Sequence, residues 1–227
     1  MNKITNFCKN ILTAISAISI FLLSVNLASA SVIDDIGKLE CDASVNYPNL
    51  APPHTKYLLN VGHIFCGNVH IDDDAEPIGS GFHVMYDDDL PETVDLGDQK
   101  PKYPINKDFP EYSRFTIFQR VTEAFRAKPV PGIKQKSTLF PTYCSREQVV
   151  NSILYSVRHD QCKKGSAYYG LSGPGGPFAA SNDYCYSNEE QAPFYIKGWA
   201  SDNMIKTGFP LKIIAKDDDP EFGCDKF

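Results

Sequence analysis

Six cysteines spread behind an apolar leader constrain this chain more than any other feature: Cys41, Cys66, Cys144, Cys162, Cys185 and Cys224. The leader opens on Lys3 and Lys9, runs apolar from Ile11 to Leu27 and ends at Ala28-Ser29-Ala30. A positive start, a short apolar core and a small-x-small exit describe a secretory signal peptide cut after Ala30. The run is short for a membrane anchor, so no stable membrane insertion is expected after cleavage. The seventh cysteine, Cys8, leaves with the leader. An even count in an exported chain reads as disulfides, and the address as secreted or periplasmic. Sequence does not choose the pairings, but it argues against one of them. Cys144 and Cys162 bracket an expected helix, which would hold them about 25 Å apart. Zinc is the rival use of cysteine, and the tight paired spacing it favours is missing.

Residues 31–227 are the expected mature chain, and at that length a single domain with a real core. The whole chain carries 22 Lys and Arg against 28 Asp and Glu, a net charge of −6. Losing the two leader lysines takes this to −8. That balance argues against a protein coated in nucleic acid, which leaves a basic footprint. A nuclease with its positive charge confined to one cleft remains open.

Residues 31–60 read as a helical or irregular opening with a Pro-rich end. Ile64 to Ile71 alternates as a strand, Asp72-Asp73-Asp74 marks a loop, and Gly79 to Met85 re-enters a strand. A polar connection follows from Asp87-Asp88-Asp89 to about Phe109. Arg114 to Phe125 fits strand or helix. Pro129 to Gly132 reads as a turn and Lys134 to Phe140 as a strand. Ser145 to Arg158 is the clearest helix: Ser145 and Gln148 form a capping box, and Val149, Val150, Ile153, Leu154 and Val157 form one apolar face. Gly165 to Pro177, rich in glycine, reads as a surface loop. Phe194 to Trp199 and Met204 to Ala215 form a final hairpin about Ser201-Asp202-Asn203.

Four short segments carry candidate chemistry: Gly62-His63-Ile64-Phe65-Cys66-Gly67, Gly79-Ser80-Gly81-Phe82-His83, Lys134-Gln135-Lys136-Ser137-Thr138-Leu139-Phe140-Pro141 and Ile205-Lys206-Thr207-Gly208-Phe209-Pro210. Two imidazoles held together can divide acid and base roles, because their ordinary pKa of ~6.5 leaves both forms available near neutrality. The bland reading is a pair of ordinary hairpin histidines. Lys134, Lys136 and Thr138 share one face of an extended segment, a small patch suited to an anion. A solvated edge strand guarded by lysines is the alternative. Thr207 and Phe209 share a face likewise, a hydroxyl beside a ring that can stack on a base. Metal-free RNA cleavage needs just these parts: a base for the 2′-hydroxyl, an acid for the leaving 5′-oxygen and a cation for the phosphoryl oxygens.

In that order the four segments resemble the EndoU family of uridylate-preferring endoribonucleases, nearest its bacterial branch. The matched motifs are His63-Ile64-x-x-Gly67, Gly81-Phe82-His83, Lys134 or Lys136 before Ser137-Thr138-Leu139-Phe140-Pro141, and Ile205-x-Thr207-x-Phe209-Pro210. The resemblance implies an α+β, EndoU-like fold: antiparallel sheets forming a cleft, with helices packed on their outer faces. It implies His63 and His83 as the acid–base pair, with His83 as base and His63 as acid. Lys134 or Lys136 would be the catalytic cation, and Thr138, Thr207 and Phe209 would position uracil and ribose. Phe209 stands where the family usually has tyrosine, which puts uridine selectivity in question. No cofactor or metal ligand is required by the chemistry, although family members differ in manganese stimulation. The implied partners are RNA, not DNA, and an immunity or inhibitor protein of the kind an exported, toxin-like RNase calls for.

Three other readings stand beside it. One is a catalytically silent RNA- or protein-binding module on the same fold. A second is a cysteine hydrolase using Cys144 and His159. The third is a disulfide-rich interaction protein with no active site.

Overall fold

The computed structural model describes residues 39–41, 49, 51–52, 55–71, 73, 76–85, 90–98, 100, 108–112, 115–119, 130–134, 137–175, 182–188 and 191–214. It is a mixed α+β structure with two five-stranded sheets, mostly antiparallel. The first sheet contains β1 (Leu58–Leu59), β9 (Cys162–Lys164), β10 (Ala167–Leu171), β11 (Phe194–Ser201) and β12 (Met204–Ile214), in the order β1-β12-β11-β10-β9. The second contains β2 (Asn68–Ile71), β3 (Pro77–Ser80), β4 (Val94–Asp95), β6 (Phe115–Gln119) and β7 (Val130–Lys134), in the order β2-β3-β7-β6-β4. A two-stranded ladder joins β5 (Glu111–Tyr112) to β8 (Ser137–Thr138). The exceptions to antiparallel pairing are β1 with β12 and β3 with β7.

The helix α1 (Arg146–Arg158) forms as the sequence predicts. Gln148 N–H donates to Ser145 Oγ at 3.1 Å, and Ser145 N–H donates to Gln148 Oε1 at 2.8 Å, closing the capping box. Val149, Val150, Ile153, Leu154 and Val157 are all buried. This face packs on β10 and β11. The approach is close: a Cβ at Gly170 would lie 2.3 Å from Ser156 O, and one at Gly208 would lie 3.0 Å from Ile153. Gly208 therefore faces the helix, and by alternation Thr207 and Phe209 face the other way. The last hairpin also forms as predicted, with Asp202 at φ 52° in its turn. It runs on through Pro210 to Ile214, with Pro210 opposite Ile196.

Several local expectations are corrected. Ile64–Cys66 is no strand: Gly62–Cys66 forms a π-helical turn, closed by Gly67 at φ 72°. Ile64, Phe65 and Cys66 are buried in succession, which a half-exposed strand does not allow. The strand predicted over Gly79 to Met85 stops at Ser80, because Gly81 (φ 73°) and Phe82 (φ 54°) are left-handed. Of the turn expected over Pro129 to Gly132, residues 130–132 belong to β7, and Pro129 lies outside the described residues. Gly132 there lets β7 meet β3, where a Cβ at Gly79 would lie 2.6 Å from Gly132 O. Lys134 to Phe140 is not one strand: β7 ends at Lys134, and β8 is the short pair Ser137–Thr138. The glycine-rich loop contains β10, whose Tyr168 and Tyr169 are buried. Of the two options for Arg114 to Phe125, the strand forms over Phe115–Gln119. Among the described residues there is one α-helix, not several, and it covers one face of one sheet.

Cys41 is bonded to Cys66 and Cys144 to Cys185, with Cα–Cα distances of 5.4 and 5.5 Å. Cys162 is also in a disulfide. The pairing argued against, Cys144 with Cys162, is indeed not made. The bonded sulfurs leave these five cysteines unsuited to zinc. They also remove the cysteine hydrolase, because Cys144 has no thiol to attack with. No helix among the described residues is long and apolar enough to cross a membrane. The leader at 1–30, Lys136, Cys224, Asp72, Asp74 and 87–89 lie outside the described residues.

Candidate active site

The π-helical turn and the segment after β3 are tied together by their backbones. Phe82 N–H donates to His63 O and His83 N–H to Ile64 O, each at 2.8 Å. Phe140 N–H in turn donates to His83 O at 2.8 Å. Gly81 makes this possible, since a Cβ there would lie 2.0 Å from His63 O. Two histidines twenty residues apart thus face each other, their ring centroids 6.1 Å apart and tilted by 49°. A π-helical turn at such a place is common in functional sites.

Each imidazole has one nitrogen committed. His63 Nδ1 lies 2.6 Å from Asn68 Oδ1, which also accepts from Ser80 Oγ at 2.8 Å. An amide oxygen only accepts, so His63 Nδ1 carries its proton and Nε2 is the basic nitrogen. His83 Nδ1 lies 3.2 Å from Thr138 O, and the same logic leaves its Nε2 basic. Burial lowers the pKa of both. His63 is pushed down to about 4, mainly by desolvation, with Lys134 and His70 adding to it and Asn68 opposing. His83 is only 7% exposed and is held well below the ordinary value by burial, then by Lys134 and His63. Both rings are therefore neutral at pH 7 in the free protein.

Lys134 reaches the pair from the end of β7. Its Nζ donates to Gly81 O and, at 2.9 Å, to Ser137 Oγ. Ser137 Oγ donates on to Phe82 O at 3.1 Å and lies 3.4 Å from His83 Nδ1. Burial pushes the Lys134 ammonium down to about 7. Lys134 is the lysine seen beside both histidines; Lys136, the other candidate, lies outside the described residues.

The other wall comes from the first sheet. Phe209 stacks on His83 at 5.2 Å and 25°, and Trp199 lies against Phe209 at 5.8 Å. Thr207 is 8% exposed, and its Oγ1 is buried with no hydrogen-bond partner among the described residues. A cavity of about 510 Å³ opens beside it, lined by Asn49, Asn60, His63, Trp199, Met204, Lys206 and Thr207. Thr138 contributes its carbonyl, orienting His83, rather than a side-chain contact to this cavity. Of the sequence-predicted residues, His63, His83, Lys134, Thr207 and Phe209 converge. Ser137, Asn68 and Ser80 complete the network without having been singled out. Ser137 lay in the motif, but strict alternation put it on the face opposite Lys134; the long Lys134 side chain nevertheless reaches its hydroxyl. Asn68 carried no signal beyond a polar side chain at a strand start.

No group of three or more His, Cys, Asp or Glu among the described residues is placed to hold a metal ion. Comparison with known protein families, curated proteins and solved structures finds no match to this chain. What the arrangement can do rests on chemistry alone: two neutral imidazoles and a partly charged lysine lie together, and one of the imidazoles, His63, lines an open cavity.

One consequence concerns stability. His63 binds its proton near pH 4 when folded, against an ordinary value of ~6.5 when unfolded. Between those values the unfolded chain holds more protons, so stability falls as pH drops from about 6.5 to 4. His63→Gln is expected to flatten that loss, seen as a smaller fall in Tm than wild type over the same window. Parallel curves for the two proteins would show that His63 is not held neutral by the fold.

Proposed function

We propose that this protein is a secreted or periplasmic endoribonuclease of the EndoU type. It cleaves RNA 3′ of uridylates by attack of the 2′-oxygen and requires no metal. The observation that carries the reading is the Lys134–Ser137–His83 network with the His63 ring 6.1 Å away. His83 Nε2 takes the 2′-hydroxyl proton as the 2′-oxygen attacks phosphorus. The P–O5′ bond breaks, and His63, protonated at Nε2, gives its proton to the departing 5′-oxygen. Lys134 supplies positive charge to the phosphoryl oxygens. The products are a 2′,3′-cyclic phosphate and a free 5′-hydroxyl. Thr207 lines the cavity beside His63, and Phe209 supports His83 by stacking. The disulfides are consistent with an oxidising compartment.

The test is a short RNA with one uridine, incubated with chelator or with manganese, its ends identified by mass. A cyclic phosphate 3′ of uridine is the expected result. No cleavage under either condition would favour the silent binding module instead. The pH profile carries a second signature. The acid must be protonated, and His63 loses its proton near 4, so log kcat/KM falls by one per pH unit above that point. Lys134 loses its charge near 7, and the slope doubles there. Lys134→Arg removes that second break, because guanidinium stays charged. A wild-type plateau extending past neutrality would contradict this assignment. An anionic phosphodiester raises both groups, so the kcat profile lies at higher pH than that of kcat/KM.

A further inference from the structure

The chain is acidic overall, with a net charge of −6. The four strands β9 to β12 are the opposite. They carry Lys163, Lys164, Lys197, Lys206 and Lys212, and no aspartate or glutamate. The positive charge is thus collected on the sheet that forms one wall of the candidate site. Strand register puts Tyr169, Lys197 and Phe209 in one row across β10, β11 and β12. This row is on the face away from α1, and it ends on His83, where Phe209 stacks. Lys197 Nζ sits 5.1 Å from the Tyr169 ring and 5.4 Å from the Trp199 ring. Those rings hold the ammonium over the face of the sheet.

Lys206 reaches the same region by a different route. Trp199 is opposite Thr207 and Ala200 is opposite Ile205, so Lys206 is the extra residue of a β-bulge. Regular alternation would put Lys206 and Thr207 on opposite faces. The bulge brings both to the cavity that His63 lines. Lys197 and Lys206 therefore flank Trp199, which is 37% exposed.

We propose that Lys197 and Lys206 bind the phosphates flanking the scissile bond, guiding single-stranded RNA from the histidine pair across β12, β11 and β10. This rests on the endoribonuclease reading. Single strands suit the face because Trp199, exposed beside the two cations, offers its ring to an unstacked base. The two lysines bind equally before and at the transition state, so their loss raises KM and leaves kcat unchanged.

The experiment measures binding of a uridine-containing RNA oligomer whose cut site carries 2′-deoxyuridine, at a series of salt concentrations. Lys197→Gln and Lys206→Gln are each expected to reduce the slope of log affinity against log salt by about 0.7. Lys163→Gln is the control. It removes the same charge from an exposed position in register with Tyr168, whose hydroxyl donates to Thr207 O beneath the sheet. The control is expected to leave the slope unchanged. Unchanged slopes in the Lys197 and Lys206 variants, or an equal loss in the control, overturn the proposal. If the oligomer binds with the lysine-dependent slope but its all-RNA counterpart is not cut, the track stands and the endoribonuclease reading falls. If the all-RNA oligomer is cut but the slopes are indifferent to Lys197 and Lys206, the enzyme stands and the track falls.

Discussion

His83→Ala is expected to lower kcat on uridine-containing RNA by roughly 10²–10⁴-fold, the contribution of one well-placed acid–base group. The side chain is nearly buried, stacked on Phe209 and held by Thr138 O, so its loss also leaves a hole in the wall of the site. His83→Gln separates the two effects. It fills more of the space and keeps a hydrogen-bonding amide, but it cannot accept a proton near neutrality. Both variants are expected to lose turnover, while the glutamine variant keeps more of the wild-type Tm. Affinity for a 2′-deoxy analogue should persist in the glutamine variant. A silent binding module has no turnover to lose, so retained activity in either variant removes His83 from the chemistry.

Gly81→Ala is expected to cost more than about 3 kcal/mol of stability. Left-handed backbone costs a non-glycine residue about 1–2 kcal/mol. Gly81 has φ 73°, and its new Cβ would also lie 2.0 Å from His63 O. That oxygen accepts from Phe82 N–H, so relief of the clash breaks the link that places the two histidines. Gly97 supplies the comparison: it has φ 57° and nothing within 4 Å of its Cβ position. Gly97→Ala is expected to cost only the backbone preference. Denaturant melts of the two variants measure the difference, and equal losses would mean that the close approach of 81 to 63 does not constrain the fold.

What could be read from the sequence divides along physical lines. The helix at 146–158 was legible because its cap and apolar face are local. The hairpin of 194–214 was legible because two apolar runs flank a turn. His63, His83 and a lysine at 134 or 136 could be expected together from their short motifs, and the fold brings His63, His83 and Lys134 close. The π-helical turn was not, since three buried residues in a row suit several conformations. β10 was missed because its glycines read as loop, whereas Gly170 is there to let Ser156 of the helix come close. Ser137 was missed because period-2 reasoning put it on the face opposite Lys134, whereas the long lysine side chain reaches its hydroxyl. The bulge at Lys206 is of the same kind: pairing across two strands creates it, and one strand alone does not record it.

The bond between Cys41 and Cys66 has a meaning for timing. Cys66 closes the same π-helical turn that holds His63. Before oxidation that turn is tied down only by weaker contacts, so the histidine pair is expected to be at its loosest in the reduced chain. On the endoribonuclease reading, the reduced chain would be an unfinished blade, and the forming of one sulfur–sulfur bond would set its edge.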